Sequence, residues 1–314
     1  MRALFSCALL VASAALANPA VLLQPSVGTV TRVVLSGRVL KSTPSKGTSV
    51  VSKNLRLLAS NNWVGASVEV SFGGQSATVV SGHDGDFEVT LEPPPGQAFE
   101  VGLGSAAAHV RGASTSAIVD VLSPDAPFFV VSDFDDTLAV TNVLDTGKLL
   151  KASLAQDEAS QPVVAGMVEF YSCLKQGNTP RPAFMLVSGS PIQYLERVRG
   201  FLLLHGFPVF GIALRDLGPK TLSNYKQPVI RALLKNLPNK VVLVGDSGEH
   251  DPEVYRQLRD EYPGRVTAIY IRDAGRSEDS KRFEGMVLFK QPKDALADAI
   301  TRGLAKPGCT GDNP

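Results

Sequence analysis

Apolar and polar residues alternate through the first third of the chain, then give way to short, uninterrupted apolar blocks. In Ser67–Phe72, Val68, Val70 and Phe72 fall on one face and Ser67, Glu69 and Ser71 on the other, the period of a half-buried strand. Gly73–Gly74 then predicts a tight turn into a second strand. Segments 35–40, 54–59, 87–91, 99–103 and 117–122 predict further short strands, several of them separated by turn clusters at 83–86 and 92–96. Asp84 and Asp86 read as turn residues in preference to cation ligands. Such spacing predicts an all-β, sandwich-like domain over residues 18–124.

From about Asp125 the pattern alternates between strands and helices, which predicts an α/β domain with a parallel sheet over 125–314. The runs 128–132, 183–187, 241–245 and 266–271 have the continuous apolar character of strands covered on both faces. Between them, Ile192, Leu195, Val198 and Leu202 share one helical face, with Ser190 placed to cap that helix and Pro191 at its first position. A further helical stretch is predicted over 163–176. The predicted fold is thus a Rossmann-like parallel α/β sheet preceded by a smaller β domain.

Composition narrows the class. With 44% hydrophobic and 19% charged residues the chain has the material for sizeable cores. Thirty-one basic against 30 acidic residues, without a basic block, give no sign of a nucleic-acid partner. Residues 1–17 combine Arg2, an apolar stretch from Ala3 to Leu16 and the small-x-small run Ala15-Leu16-Ala17, the signature of a cleaved export signal. The expected mature chain is exported and has no transmembrane segment. Cys173 and Cys309 permit a single bridge, and two unpaired thiols fit the sequence equally well.

The chemistry gathers at three predicted strand ends, where open α/β sheets bind ligands. The first is Asp133-Phe-Asp135-Asp136-Thr137; the second is Ser188-Gly189-Ser190, whose hydroxyls and backbone N–H groups suit an anion; the third is Gly245-Asp246-Ser-Gly-Glu-His-Asp251. Lys226 lies between the last two, at the start of a predicted helix. Phosphoryl transfer requires a nucleophile, charge neutralisation and an acid for the leaving group. Hard oxygen ligands of this kind select Mg²⁺. Taken singly, each element has an ordinary reading: Asp251 before Pro252 is a well-formed helix N-cap, and Glu249 and His250 read as loop residues without a chemical part.

DFDDT, VSGSP, the lysine of NYK and GDSGEHD resemble motifs I to IV of the haloacid dehalogenase superfamily. More narrowly, DFDDTLAVTNV, FMLVSGSP, LRD and VLVGDSGEHDPEVY resemble the actin-patch-protein type of phosphatidate phosphatase catalytic domain, distant kin of lipins, over roughly 128–290. That resemblance implies Asp133 as nucleophile and metal ligand, and Asp135 as general acid and base, with its carbonyl on the metal. Thr137 would support the loop, Ser188 and Gly189 would bind the phosphoryl group, and Lys226 would steady nucleophile and phosphate. Asp246 would complete the magnesium site, with Asp251 as a further ligand or as a carboxylate just behind the ligands. Gly189 stands where the family often has serine, Tyr225 where it usually has histidine, and Lys220 is the alternative lysine.

The implied activity is Mg²⁺-dependent hydrolysis of phosphatidate at a membrane surface, with no partner indicated for the β domain. Residues 138–182 are too few for a large cap domain, so a bulky substrate could approach. Soluble phosphate esters as substrates, or a surface-binding protein with a vestigial phosphatase domain, are the alternative readings. Intact Asp133, Asp135, Lys226 and Asp246 oppose the latter.

Overall fold

The computed structural model of the protein describes residues 18–42, 61–141, 159–215, 222–275 and 277–309. The expected export signal, the strand expected at 54–59 and Lys220 lie outside these residues. Two sheets make up the β region. β1 (Ala20–Leu23), β3 (Val33–Leu40) and β6 (Asp86–Leu91) form an antiparallel sheet in the order β1-β3-β6. β2 (Ser26–Thr29), β4 (Ser67–Phe72), β5 (Gln75–Val80), β7 (Gly102–Val110) and β8 (Ala113–Leu122) form the other, in the order β2-β8-β7-β4-β5, with β2 parallel to β8. Val33 and Leu35 of the first sheet share one buried core with Val68, Val70 and Val119 of the second. The alternation read in Ser67–Phe72 is observed, since Val68, Val70 and Phe72 are buried.

The strand expected at 99–103 is corrected: β7 begins at Gly102 and runs to Val110. Its buried side chains are small, Ala106 and Ala108 among them, so it lacks the bulky alternation that marks a strand. Gly104 is needed there because a Cβ would fall 2.7 Å from the Phe72 ring.

The α/β region is a six-stranded sheet in the order β11-β10-β9-β12-β13-β14, comprising β9 (Phe128–Ser132), β10 (Phe184–Pro191), β11 (Phe210–Arg215), β12 (Lys240–Asp246), β13 (Val266–Arg272) and β14 (Val287–Phe289). Every recorded pairing in this sheet is parallel. β9 is buried throughout, as its apolar run requires. The connecting helices are α1 (Met167–Gln176), α2 (Leu195–Leu204), α3 (Leu222–Asn236), α4 (Asp251–Glu261) and α5 (Pro292–Thr301). α1 occupies most of the predicted helical stretch, but starts only after Gly166, whose φ of 90° belongs to the left-handed region. Cys173 on α1 and Cys309 beyond α5 form a disulfide.

The chain after β1 covers the free edge of β11. The Ile212 N–H donates to the Pro25 carbonyl at 2.7 Å, and the Leu214 N–H donates to Gln24 Oε1 at 2.8 Å. Arg181 meets the buried Asp120 carboxylate with two bonds of 2.7 and 2.8 Å. No described helix is long and apolar enough to cross a membrane.

Candidate active site

β9 is flanked by β10 and β12, and the chain leaves it first to one side and then to the other. A crevice opens at the strand ends where such a reversal occurs. Asp133 follows β9 directly and is fixed by its own N–H donating to the Val244 carbonyl of β12. Its Oδ1 lies 2.8 Å from Lys226 Nζ, while its buried Oδ2 has no hydrogen-bond partner among the described residues. Beneath it, the Tyr171 hydroxyl of α1 donates to Ser132 Oγ, which donates to the Asp133 carbonyl.

The loop then turns sharply. Asp136 adopts φ of 53°, a left-handed conformation that aspartate tolerates better than most residues. Its carboxylate accepts bonds from the Thr141 N–H at 2.9 Å and the Thr141 hydroxyl at 2.7 Å, and Arg272 donates to its carbonyl. Thr137 is fully buried within this turn.

Asp135 accepts a bond from Ser190 Oγ at 3.1 Å. Burial is the main cause that pushes its carboxyl up to about 6; the nearby Glu249 adds to this, and the Ser190 bond opposes it. The expected capping role of Ser190 is therefore corrected. β10 continues to Pro191, a short 3₁₀ turn covers Ile192–Tyr194, and α2 starts only at Leu195. Ser190 faces the site instead, and its N–H donates to the buried Ser188 Oγ at 3.1 Å.

Lys226 is buried, within 2.8 Å of Asp133, 2.6 Å of Asp251 and 3.2 Å of Glu249. Burial alone would lower its ammonium, but these three carboxylates more than offset that and hold it well above its ordinary value. Burial also pushes Asp133 and Asp246 well upward; Lys226 opposes the rise and neighbouring carboxylates reinforce it. Among the described residues, Lys226 thus pairs with Asp133, Glu249 and Asp251 and lies near Asp135 and Asp246, and a pocket so short of positive charge is suited to receive more.

Asp246 Oδ1 accepts from the Gly248 and Glu249 N–H groups, whereas its buried Oδ2 has no partner among the described residues. Asp133, Asp246 and Glu249 each offer an oxygen to a common point, these atoms lying within 4.8 Å of one another. Two orphaned carboxylate oxygens beside a third carboxylate fit a hard divalent cation. Asp251 is not in that group: Oδ1 accepts from Lys226, and Oδ2 faces the Asp246 N–H at 3.3 Å. Nor is it the expected N-cap, since α4 begins at Asp251 itself, after His250. The Gly245 approach is equally tight, for a Cβ there would lie 2.4 Å from Asp251 Oδ2.

The structure therefore brings Asp133, Asp135, Ser188, Lys226, Asp246 and Asp251 to one crevice, with Thr137 and Gly189 in the turns behind them. Glu249 is the residue that sequence reasoning set aside. Its signal was present in the acidic run of Gly245–Asp251, but which of the acids face inward is decided only by how the loop folds.

Two buried aspartates at neighbouring ends of a parallel sheet and a buried lysine on α3 thus form the crevice. Residues 128–273 match the family described as "Phosphatidate phosphatase APP1, catalytic domain", and this region is phosphatidate phosphatase-like. Phosphatidate phosphatase APP1 of Saccharomyces cerevisiae is 31% identical over 151 residues, which are 46% of this chain and 25% of that protein. An uncharacterized protein of Schizosaccharomyces pombe is 22% identical over 152 residues, with the same coverage. The chain thus matches about a quarter of the length of these relatives. A Thermotoga maritima structure provisionally described as a beta-phosphoglucomutase aligns with a TM-score of 0.38 at 17% identity, covering 55% of this chain and 99% of its own.

Proposed function

We propose that the protein is an exported, Mg²⁺-dependent phosphatidate phosphatase that works through an aspartyl phosphate at Asp133. The observation that carries this reading is the division of the Asp133 carboxylate, one oxygen on Lys226 and the other free towards the crevice. Asp133, Asp246 and Glu249 would hold the metal with their oxygens. When bound, Mg²⁺ supplies the positive charge that lets a carboxylate and a phosphate approach each other.

Ser188, its oxygen accepting from the Ser190 N–H, has its hydroxyl proton available for a phosphoryl oxygen. Lys226 balances charge on both nucleophile and phosphate. A bond forms from Asp133 to phosphorus as the ester P–O bond breaks, and the leaving alkoxide takes the Asp135 proton. Water then attacks the aspartyl phosphate with Asp135 accepting its proton, releasing phosphate and restoring both carboxyl groups. An Asp135 carboxyl poised at about 6 is well placed to exchange that proton near neutrality. The Cys173–Cys309 disulfide agrees with an oxidising compartment, which supports export.

The test is phosphate release by purified protein from phosphatidate vesicles and from soluble phosphate esters, with and without chelator. Turnover of phosphatidate that stops on chelation and returns with Mg²⁺ is expected. Undiminished turnover in metal-free protein would remove the metal from the mechanism, and preference for soluble esters would reassign the substrate.

A further inference from the structure

The loop that carries Asp246 and Glu249 is held from outside the crevice by the chain that follows β13. Ser247 anchors its first half. The Ser247 N–H donates to the Arg272 carbonyl at 2.9 Å, and its hydroxyl accepts from the Ala274 N–H at 2.9 Å and donates to the Gly275 carbonyl. Arg282, in a short 3₁₀ turn at Ser280–Phe283, holds the rest. Its Nη1 donates to the Ser247 carbonyl at 3.0 Å and its Nη2 to the Glu249 carbonyl at 2.9 Å. Glu253, in the first turn of α4, clamps the guanidinium in turn, accepting from Nε at 2.6 Å and from Nη2 at 3.1 Å. The turn is seated independently of that side chain, since Arg256 of α4 donates to the Lys281 and Arg282 carbonyls at 2.6 and 2.5 Å.

A surface ion pair would account for the Glu253 contact and nothing more. The Arg282 side chain is only 17% exposed, and two branches of its fork go to main-chain carbonyls of one loop. The peptide between Ser247 and Gly248 shows what that achieves. A trans peptide points its carbonyl and its N–H in opposite directions. Here the carbonyl meets the guanidinium, and the N–H donates to Asp246 Oδ1 at 2.6 Å. A cation on the carbonyl polarises the peptide and strengthens its N–H as a donor. The Glu249 N–H adds a second bond to the same oxygen at 3.2 Å. With Oδ1 held twice from behind, Asp246 turns its other oxygen to the point it shares with Asp133 and Glu249.

We propose that Arg282 is a positioning residue of the metal centre. Acting through the Ser247–Gly248 peptide and the Glu249 carbonyl, it fixes Asp246 and Glu249 in the orientation that receives Mg²⁺. The proposal rests on the Mg²⁺ reading for the identity of the cation. It also carries a sign that a purely electrostatic role would reverse. By charge alone a guanidinium opposes a nearby cation, so its removal would tighten Mg²⁺ binding. By orientation its removal loosens that binding.

The experiment is calorimetric titration of the metal-free full chain with Mg²⁺, beside thermal melts of the same metal-free proteins. Binding is thus read apart from turnover. Arg282→Met should bind Mg²⁺ about 10–100-fold more weakly, the range for loss of a partner behind a metal ligand. Arg282→Lys keeps the charge but cannot span both carbonyls, and should weaken binding in the same direction. Glu253→Ala releases the clamp on the guanidinium and should also weaken binding, by less. Unchanged or tighter binding in folded Arg282→Met would overturn the proposal, and a lowered melting temperature beside wild-type affinity would reduce Arg282 to a structural part. Should Arg282→Met fail to fold, Arg282→Lys and Glu253→Ala decide by the same criterion. Wild-type protein that binds no Mg²⁺ would remove the metal reading and this proposal with it. Wild-type binding that the variants share would leave the metal reading standing and remove Arg282 from it.

Discussion

Asp133 and Asp135 are two residues apart, yet their surroundings separate their tasks. Asp133 is divided between Lys226 and the crevice, whereas Asp135 accepts from Ser190 and feels Lys226 only at longer range. Asp133→Asn keeps the shape but loses the attacking oxygen, so turnover should fall to background with no phosphoenzyme trapped on acid quench. Near-normal turnover in this variant would remove the covalent route. Asp135→Asn should lower turnover by about 10²–10⁴-fold and also change stability in a definite direction. The folded-state value of about 6 lies above the ordinary 3.8, so the associated stability is complete below pH 3.8 and is lost as pH rises through 6. Above that pH the half-buried carboxylate costs up to about 3 kcal/mol. In metal-free protein, Asp135→Asn should therefore raise the melting temperature at pH 8 and leave it nearly unchanged at pH 3. An equal effect at both pH values would show that burial of the charge is not the cause. The placement of Asp133 and Asp135 in the crevice was legible from their spacing at the end of β9, and that of Lys226 from its position early in a helix. Glu249 was not, since its part depends on the fold of one loop.

The same contrast holds at the level of elements. The buried strands β9, β10, β12 and β13 could be read from their apolar runs because a parallel sheet covered on both faces admits little else. Helix starts were less legible. Ser190-Pro191 and Asp251-Pro252 both carry the local grammar of a cap, but in each case the side chain turns towards the site. Local preference for capping is about 1 kcal/mol, and a hydrogen bond to a buried charged group equals or exceeds it. Asp251 joins three elements: α4, which it begins, α3 through Lys226, and β12 through the Asp246 N–H. Asp251→Asn should therefore weaken the hold on Lys226 without removing nucleophile or acid. Turnover should drop by about 10–100-fold, the range seen when an outer partner of a site is lost, while a phosphoenzyme still forms. Complete loss of phosphoenzyme would mean that Asp251 acts directly on the substrate.

At the scale of the molecule, the β region covers an edge that would otherwise offer unpaired backbone groups to other chains. Gln24 and Pro25 close the edge of β11, and Asn239 donates to the Ser123 and Ala126 carbonyls where the two regions join. The strand count of the β region suggested a sandwich from sequence, but this join could not be read, because it brings together residues as distant as Gln24 and Leu214. Arg32, Arg38, Lys41 and Arg111 are scattered along the described β region and form no basic run in sequence, whereas attachment to anionic lipid gains about 1 kcal/mol for each basic residue near the surface. We propose that the β region instead supports the α/β region, whose β11 edge it covers. The Arg181–Asp120 pair tests this, because Asp120 is 2% exposed and both its oxygens are bound by that one guanidinium. Arg181→Met leaves a buried carboxylate without its cation. The loss should be about 3 kcal/mol, at the low end for a broken buried pair because Arg181 is itself one-third exposed. If the two regions stabilise each other, denaturant unfolding of Arg181→Met should shift both the β-region and the α/β-region signals to lower denaturant. A shift confined to the β-region signal would show that the catalytic region stands without its cover.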